Sequence, residues 1–331
     1  LREALELFQR AIAVDSGYAL AWAGVADCHG QMLQFEIAKD PDEAVRLGLE
    51  AARRAIALNP RLAEGHKAEA LMLRQIPDYE GSRAALLRAL EANSRFTPAM
   101  INLGVEAFQN ADLAEAERMN RRVLEIDPQE PFSMNWLAQI LRLTGRDVEL
   151  LALLDRLRAT SDDPMYITTV HAFRAHTHLH RGDVGAAERA LRDGLADGAR
   201  ESDMRGIEAV IAVRSGREED ARSLVREAES AAARSPQAIF MAAAAAIRLG
   251  DHETAARVLG RKVFESIAPV IVRLDPELHP LLSREPFAPR RSSLALVWPL
   301  EAPMIDAARH ALFREVRIES GRPQGSDVVS K

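Results

Sequence analysis

"TPAMINLGVEAFQNADLAEAERMNRRVLEIDPQE", residues 97–130, decides how the whole chain is read. Leu103 and Gly104 fall in a first helix, and Ala116 and Val123 fall in a second. Ala111-Asp112 between them ends one helix and caps the next, and Pro128 closes the unit. Small residues at Gly104 and Ala116 let two antiparallel helices approach closely, while Met100, Leu103 and Val123 fill the space between them.

The same turn recurs along the chain at Pro77-Asp78, Ala111-Asp112, Gly145-Arg146, Gly182-Asp183, Gly216-Arg217 and Gly250-Asp251, with spacings of 34, 34, 37, 34 and 34. A helix of about 13 residues, a short turn and a second helix of similar length fill such a period. Composition agrees: Ala, Leu, Arg and Glu dominate the 331 residues and aromatics make up only 5%, which suits close-packed helices better than a sheet. The expectation is an all-α chain built as one elongated array.

A net charge of −6 with interspersed signs argues against a general nucleic-acid surface, so no direct nucleic-acid partner is expected through this segment. Cys28 is the single cysteine, which excludes an intrachain disulfide and a cysteine-based zinc site and fits a reducing, cytoplasmic setting. No apolar stretch reaches the ~18 residues of a membrane span, so no membrane partner is expected. "LREALELFQR" at the start has neither a signal-peptide apolar region nor an initiating Met.

The repeated phase resembles that of tetratricopeptide repeat (TPR) proteins from Leu1 to about Ser266. "AVDSGYALAWAGVAD", "IALNPRLAEGHKAEA" and "LEIDPQEPFSMNWLA" each carry the family's helix end, turn and next helix start, with Trp22 where the family often has Trp. The resemblance implies a right-handed superhelical solenoid of antiparallel helix pairs. Residues 1–16 read as a half repeat and 17–60 as a lengthened repeat, because "QMLQFEIAKDPDEAVRLGLEAARR" is too long for a standard second helix. Further repeats are expected near 61–94, 95–130, 131–164, 165–201, 202–235 and 236–266. A proline-rich closing segment follows at 267–291, and a tail at 292–331 has one candidate helix with Ile305, Ala308, Leu312 and Val316 on a stripe. The half repeat leaves an apolar face without its partner, so the chain is expected to be the C-terminal part of a longer protein. The lengthened early repeat and the proline-rich ending resemble the C-terminal solenoids of bacterial multidomain regulators, in which a winged-helix, nucleotide cyclase or protein kinase domain precedes the repeats.

Catalytic signatures are missing: there is no phosphate-cradling G-x-x-x-x-G-K-[ST], no G-x-G-x-x-G and no G-x-S-x-G. "HETAA" at His252 lacks the second histidine that a zinc helix needs. The acidic groups Glu115 with Glu117, and Glu218, Glu219 with Asp220, sit in first turns, where the helix dipole already favours acids. No cofactor and no enzymatic activity are expected, and Cys28 reads as a small packed residue.

The TPR resemblance implies a concave groove lined by the first helix of each repeat. Its register assigns Lys67, Arg74, Asn102, Phe108, Gln109, Asn135, Trp136, Gln139, Arg142, Phe173, His176 and His180 to a partner-binding face. Amides that bond a peptide backbone, an Arg that forks onto a carboxylate and a large Trp are ingredients of protein recognition. The two-carboxylate clamp of chaperone-binding TPR domains is excluded, since Leu71, Phe132 and Trp136 stand where three of its polar residues belong. In "HAFRAHTHLH", His171 and His178 fall on the packing stripe while His176 and His180, four apart, face the groove, so the four cannot converge on one metal ion. The groove pair is expected to make that face sensitive to pH near neutrality. The reading is a non-catalytic scaffold that binds protein or peptide segments as the sensing part of a bacterial regulator. The alternatives are a regulatory region serving a cyclase or kinase domain upstream, or a self-associating array.

Overall fold

The computed structural model describes residues 1–34, 37–76, 78–230, 236–260 and 268–283. Among the described residues every regular element is helical. The order is α1 (Arg2–Val14), α2 (Ala19–Gln34), α3 (Pro41–Leu58), α4 (Ala63–Gln75), α5 (Tyr79–Ala92), α6 (Thr97–Gln109), α7 (Leu113–Ile126) and α8 (Pro131–Leu143). Then come α9 (Asp147–Thr160), α10 (Pro164–His180), α11 (Val184–Asp197), α12 (Glu201–Arg214), α13 (Glu218–Ser230), α14 (Pro236–Arg248), α15 (His252–Leu259) and α16 (Ala268–Leu274), followed by a 3₁₀ segment, Pro276–Ser283. Even-numbered helices from α2 to α14 are the first members of successive pairs, and each packs on its odd-numbered successor. The architecture is an all-α, TPR-like solenoid.

The repeated turn has one construction. Ala111, Gly145, Gly182, Gly216 and Gly250 all take positive φ, between 60° and 77°. The amide of the following residue reaches back five residues to a first-helix carbonyl: Asp112 to Ala107 at 2.8 Å, and Asp183 to His178 and Asp251 to Ala246 at 2.9 Å. That is the bond of a Schellman ending, which satisfies a carbonyl the helix leaves orphaned. The same aspartate then caps the second helix: Asp112 accepts from the Glu115 amide at 3.0 Å, Asp183 from Ala186 at 2.8 Å and Asp251 from Thr254 at 3.0 Å. One dipeptide therefore ends one helix and starts the other. Where Arg146 takes the aspartate's place no side chain caps α9, and Asp147 and Glu149 in its first turn complement the helix dipole instead.

Between the helices of a pair, small residues set the distance. A Cβ on Gly104 would stand 3.3 Å from Met119 Cβ and 3.1 Å from Asn120 Nδ2, so α6 and α7 are in contact at that glycine. Met100, Leu103 and Val123 beside it are fully buried. Successive pairs are tied by a recurring bond from a second-helix arginine to the previous turn: Arg122 donates to the Ser94 carbonyl at 2.7 Å, and 34 residues on Arg156 donates to Pro128 at 3.2 Å.

The lengthened repeat has two long helices. Its extra residues are divided between a 16-residue α2, an 18-residue α3 and the link between them, because Asp40-Pro41 fixes a helix start: Asp40 accepts from the Glu43 amide at 3.0 Å and Pro41 occupies the first turn. The proline-rich end forms α16 and the 3₁₀ segment, with Pro280 inside the latter. The candidate tail helix around Ile305–Val316, with Pro286 and Pro289, lies outside the described residues.

Among the described residues Ala111 is the non-glycine residue under left-handed strain, which costs an L-residue about 1–2 kcal/mol. Ala111→Gly is expected to raise the urea midpoint, by about 0.5 kcal/mol after glycine's greater unfolded freedom is subtracted. Gly182→Ala is expected to lower it by about 1 kcal/mol, purely through the backbone, since a Cβ there meets nothing within 4 Å. Midpoints that move the other way would refute the turn's role.

Candidate functional site

The first helices carry the residues assigned to the groove in rows. On α8, Asn135, Gln139 and Arg142 follow at intervals of four and three, one stripe of the helix. On α10, Phe173 and His176 follow at the same kind of interval. Lys67 and Arg74 lie seven apart on α4, and Asn102 and Gln109 seven apart on α6.

Arg142 is the centre of the arrangement. Its Nη1 donates to Asp275 Oδ2 at 2.8 Å, and the two side chains are only 5% and 10% exposed. The guanidinium carbon lies 5.8 Å from the centre of the Phe173 ring, a cation–π contact. Asp275 also accepts from the Glu277 amide through Oδ1 at 3.1 Å. Burial pushes the Asp275 carboxyl up, but the adjoining Arg142 charge, with the hydrogen bonds, outweighs it and holds the group below the usual carboxylate range. Two residues on, Glu277 Oε1 receives both Arg248, at 2.6 Å, and Arg214, at 3.4 Å. The end of the chain's described part thus sets two carboxylates on three arginines drawn from α8, α12 and α14.

On the same stripe lie polar atoms without a partner among the described residues. Asn135 Oδ1, both amide atoms of Gln139, and Arg142 Nε and Nη2 are buried and make no hydrogen bond there. Gln139 is 5% exposed. A buried polar group left without a partner costs about 1–3 kcal/mol. Next to the polar row stands an aromatic shelf: Trp136 meets Phe108 edge-on at 4.9 Å and Phe132 at 6.2 Å, and Phe132 is exposed.

At the other end of the inner face, Lys67 is held by Asp27 of α2 at 2.5 Å. Burial raises the Asp27 carboxyl and Lys67 opposes the shift. Asn102 donates to the Pro98 carbonyl of its own helix at 2.8 Å, while Arg74 and Gln109 are half-buried.

Several residues assigned to the groove from the sequence take other positions. Phe108 and Phe173 belong to the hydrophobic core, at 0% and 1% exposure, where neighbouring buried side chains cover their rings. His176 is buried too, whereas His180 is exposed with its ring 4.8 Å from that of His176. Burial first, and then the Arg142 charge, lower the His176 pKa to about 3, so this imidazole is neutral throughout the physiological range and does not titrate near neutrality. His171 is buried against Asp197, 3.0 Å from Nε2 to Oδ2, and His178 is half-buried. Among the described residues no group of three or more His, Cys, Asp or Glu is placed to share a metal ion. Asp275, Glu277, Arg214 and Arg248 were not read as site residues. Their one sequence signal was "LDPEL", an acidic pair with leucines on both sides just past the last repeat.

The histidine shift sets an acid dependence. An unfolded histidine takes up a proton below about pH 6.5, whereas folded His176 waits until about pH 3. Between those values the unfolded state binds the extra proton, so stability falls as pH is lowered, by about 1.4 kcal/mol at one unit below the unfolded pKa. His176→Gln is expected to remove that part of the slope in urea titrations around pH 5.5 and 7.5; an unchanged slope would contradict the buried neutral ring.

No model of a known protein family matches the chain, and no curated protein matches it in sequence. Solved structures do resemble it. A chain of the APC/C hetero-tetramer Cut9–Hcn1 superposes with a TM-score of 0.54 at 12% identity, over 73% of this chain and 45% of that one. This chain therefore spans less than half the length of that protein. A tetratricopeptide repeat protein from Parabacteroides merdae gives 0.49 at 13% identity, covering 76% of this chain and 91% of that one. YrrB, described as a TPR protein with an unusual peptide-binding site, gives 0.43 at 17% identity, covering 64% and 98%. At these identities the likeness is one of fold, and the fold is that of TPR helical solenoids.

Proposed function

We propose that this chain is a non-catalytic scaffold that binds a protein or peptide segment along the inner face of its solenoid, at α6, α8 and α10. One observation carries the reading: the stripe Asn135, Gln139 and Arg142 keeps five polar side-chain atoms buried and unpartnered. A structural core has no use for such atoms, whereas a segment that displaces what covers them offers matching donors and acceptors at each residue. Trp136 and the exposed Phe132 beside them supply the apolar area on which binding energy concentrates.

Binding fits this face better than catalysis. The cations that a reaction would use are already neutralised, Lys67 by Asp27 and Arg142 by Asp275, and the His176 ring is held neutral. The same pairing argues for protein rather than nucleic acid as partner, since phosphate binding draws on unpaired cations. Among the described residues no helix is long and apolar enough to cross a membrane. The broader role we infer is the sensing part of a bacterial transcriptional or signalling regulator acting in the cytoplasm. It rests on the lengthened first repeat and the proline-rich ending.

Peptides selected from a random display library against the full chain test the reading. Their affinity is expected to fall at least tenfold in Trp136→Ala and in Gln139→Ala, and to be unchanged in Val148→Ala, whose side chain is exposed at the start of a second helix. Selected peptides that bind all three variants as they bind the wild type would place the site elsewhere.

A further inference from the structure

A lid over the last helix pair needs apolar contact, and the closing segment has it: Ile271, Val272, Leu278 and Leu281 are fully buried. It does not need a charge pair with α8, six helices before α14. Yet Asp275 crosses 133 residues of sequence to meet Arg142, with both groups nearly out of solvent. Desolvating two ions costs several kcal/mol each, and their attraction repays this only when the remaining hydrogen-bonding capacity is also used. Here it is not, since Arg142 Nε and Nη2 stay unpartnered and so does the adjacent Gln139 amide. The receiving side is built for more than the closing segment delivers.

We propose that residues 271–283 are an internal stand-in for the partner, and that the face between α8 and α14 takes a short acidic segment of the same helical form, with two carboxylates two residues apart and leucines following, in their place. This rests on the reading of the inner face as a protein-binding site and adds the chemistry of what binds. Asp275 shows where the first carboxylate goes, onto Arg142, and Glu277 where the second goes, between Arg214 and Arg248. A partner segment that continues along α8 also reaches Gln139 and Asn135, whose amides both donate and accept. The tethered segment holds the site at high effective concentration, so the resting chain binds a free acidic peptide only weakly.

The probe is a fluorescein-labelled synthetic peptide of residues 271–283, followed by polarisation with the full chain. The double variant Asp275→Ala, Glu277→Ala is expected to bind it at least tenfold more tightly than the wild type. Adding Arg142→Ala to that variant is expected to reverse the gain. A peptide carrying Asn and Gln for its Asp and Glu is expected to bind at least tenfold more weakly than the acidic one. Equal binding by wild type and double variant, or equal binding of the acidic and amidated peptides, overturns the proposal. Should the double variant fail to fold, hydrogen exchange on the wild type decides: excess unlabelled peptide must speed exchange in residues 268–283 alone, and no change overturns the proposal. Library-selected peptides that depend on Trp136 yet are neutral and indifferent to the double variant would sink this inference and leave the protein-binding reading intact.

Discussion

One backbone conformation recurs through most of this architecture. A helix pair buries its apolar sides when the chain reverses within two or three residues, and a left-handed residue after the first helix makes so tight a reversal easy. Five turns have one, with φ between 60° and 77°, four of them glycine and the fifth Ala111. The aspartate that follows three of them does double duty, its amide closing one helix and its carboxylate opening the next. Identical turns give identical pair geometry, and identical pairs stack. The inner face, with the rows on α4, α6, α8 and α10, follows from that stacking and from nothing specific to any one repeat.

That dependence explains which features were legible in the sequence. The turn is local, so its Gly-Asp signature and its 34-residue phase are written in adjacent residues, and the fold class follows from them. The division of the lengthened repeat was less legible, because a helix start at Asp40-Pro41 competes with a continuous apolar pattern and wins only through a cap bond. The site was half legible. Register alone nominates Asn135, Gln139 and Arg142, but it also nominates Phe108 and Phe173, since position on a helix face does not reveal how closely the neighbouring helices crowd it. The partners Asp275 and Glu277 were illegible because their significance depends on where a segment 133 residues away comes to rest.

The inner face is polar, and most of its charges are paired. Lys67 has Asp27, Arg142 has Asp275, and Arg214 and Arg248 share Glu277. Pairs of this kind contribute little to stability relative to apolar packing, and their worth lies in what they exclude. A neutral segment that enters the groove must strip a carboxylate from an arginine and leave the arginine bare. An acidic segment exchanges one carboxylate for another and leaves no arginine bare. The pairing therefore acts as a filter, because the penalty falls on the wrong ligand rather than the reward on the right one. His176 fits the same logic: buried and within the field of Arg142 and Asp275, it stays neutral, so the balance of the filter holds across the pH range in which a charged imidazole would upset it.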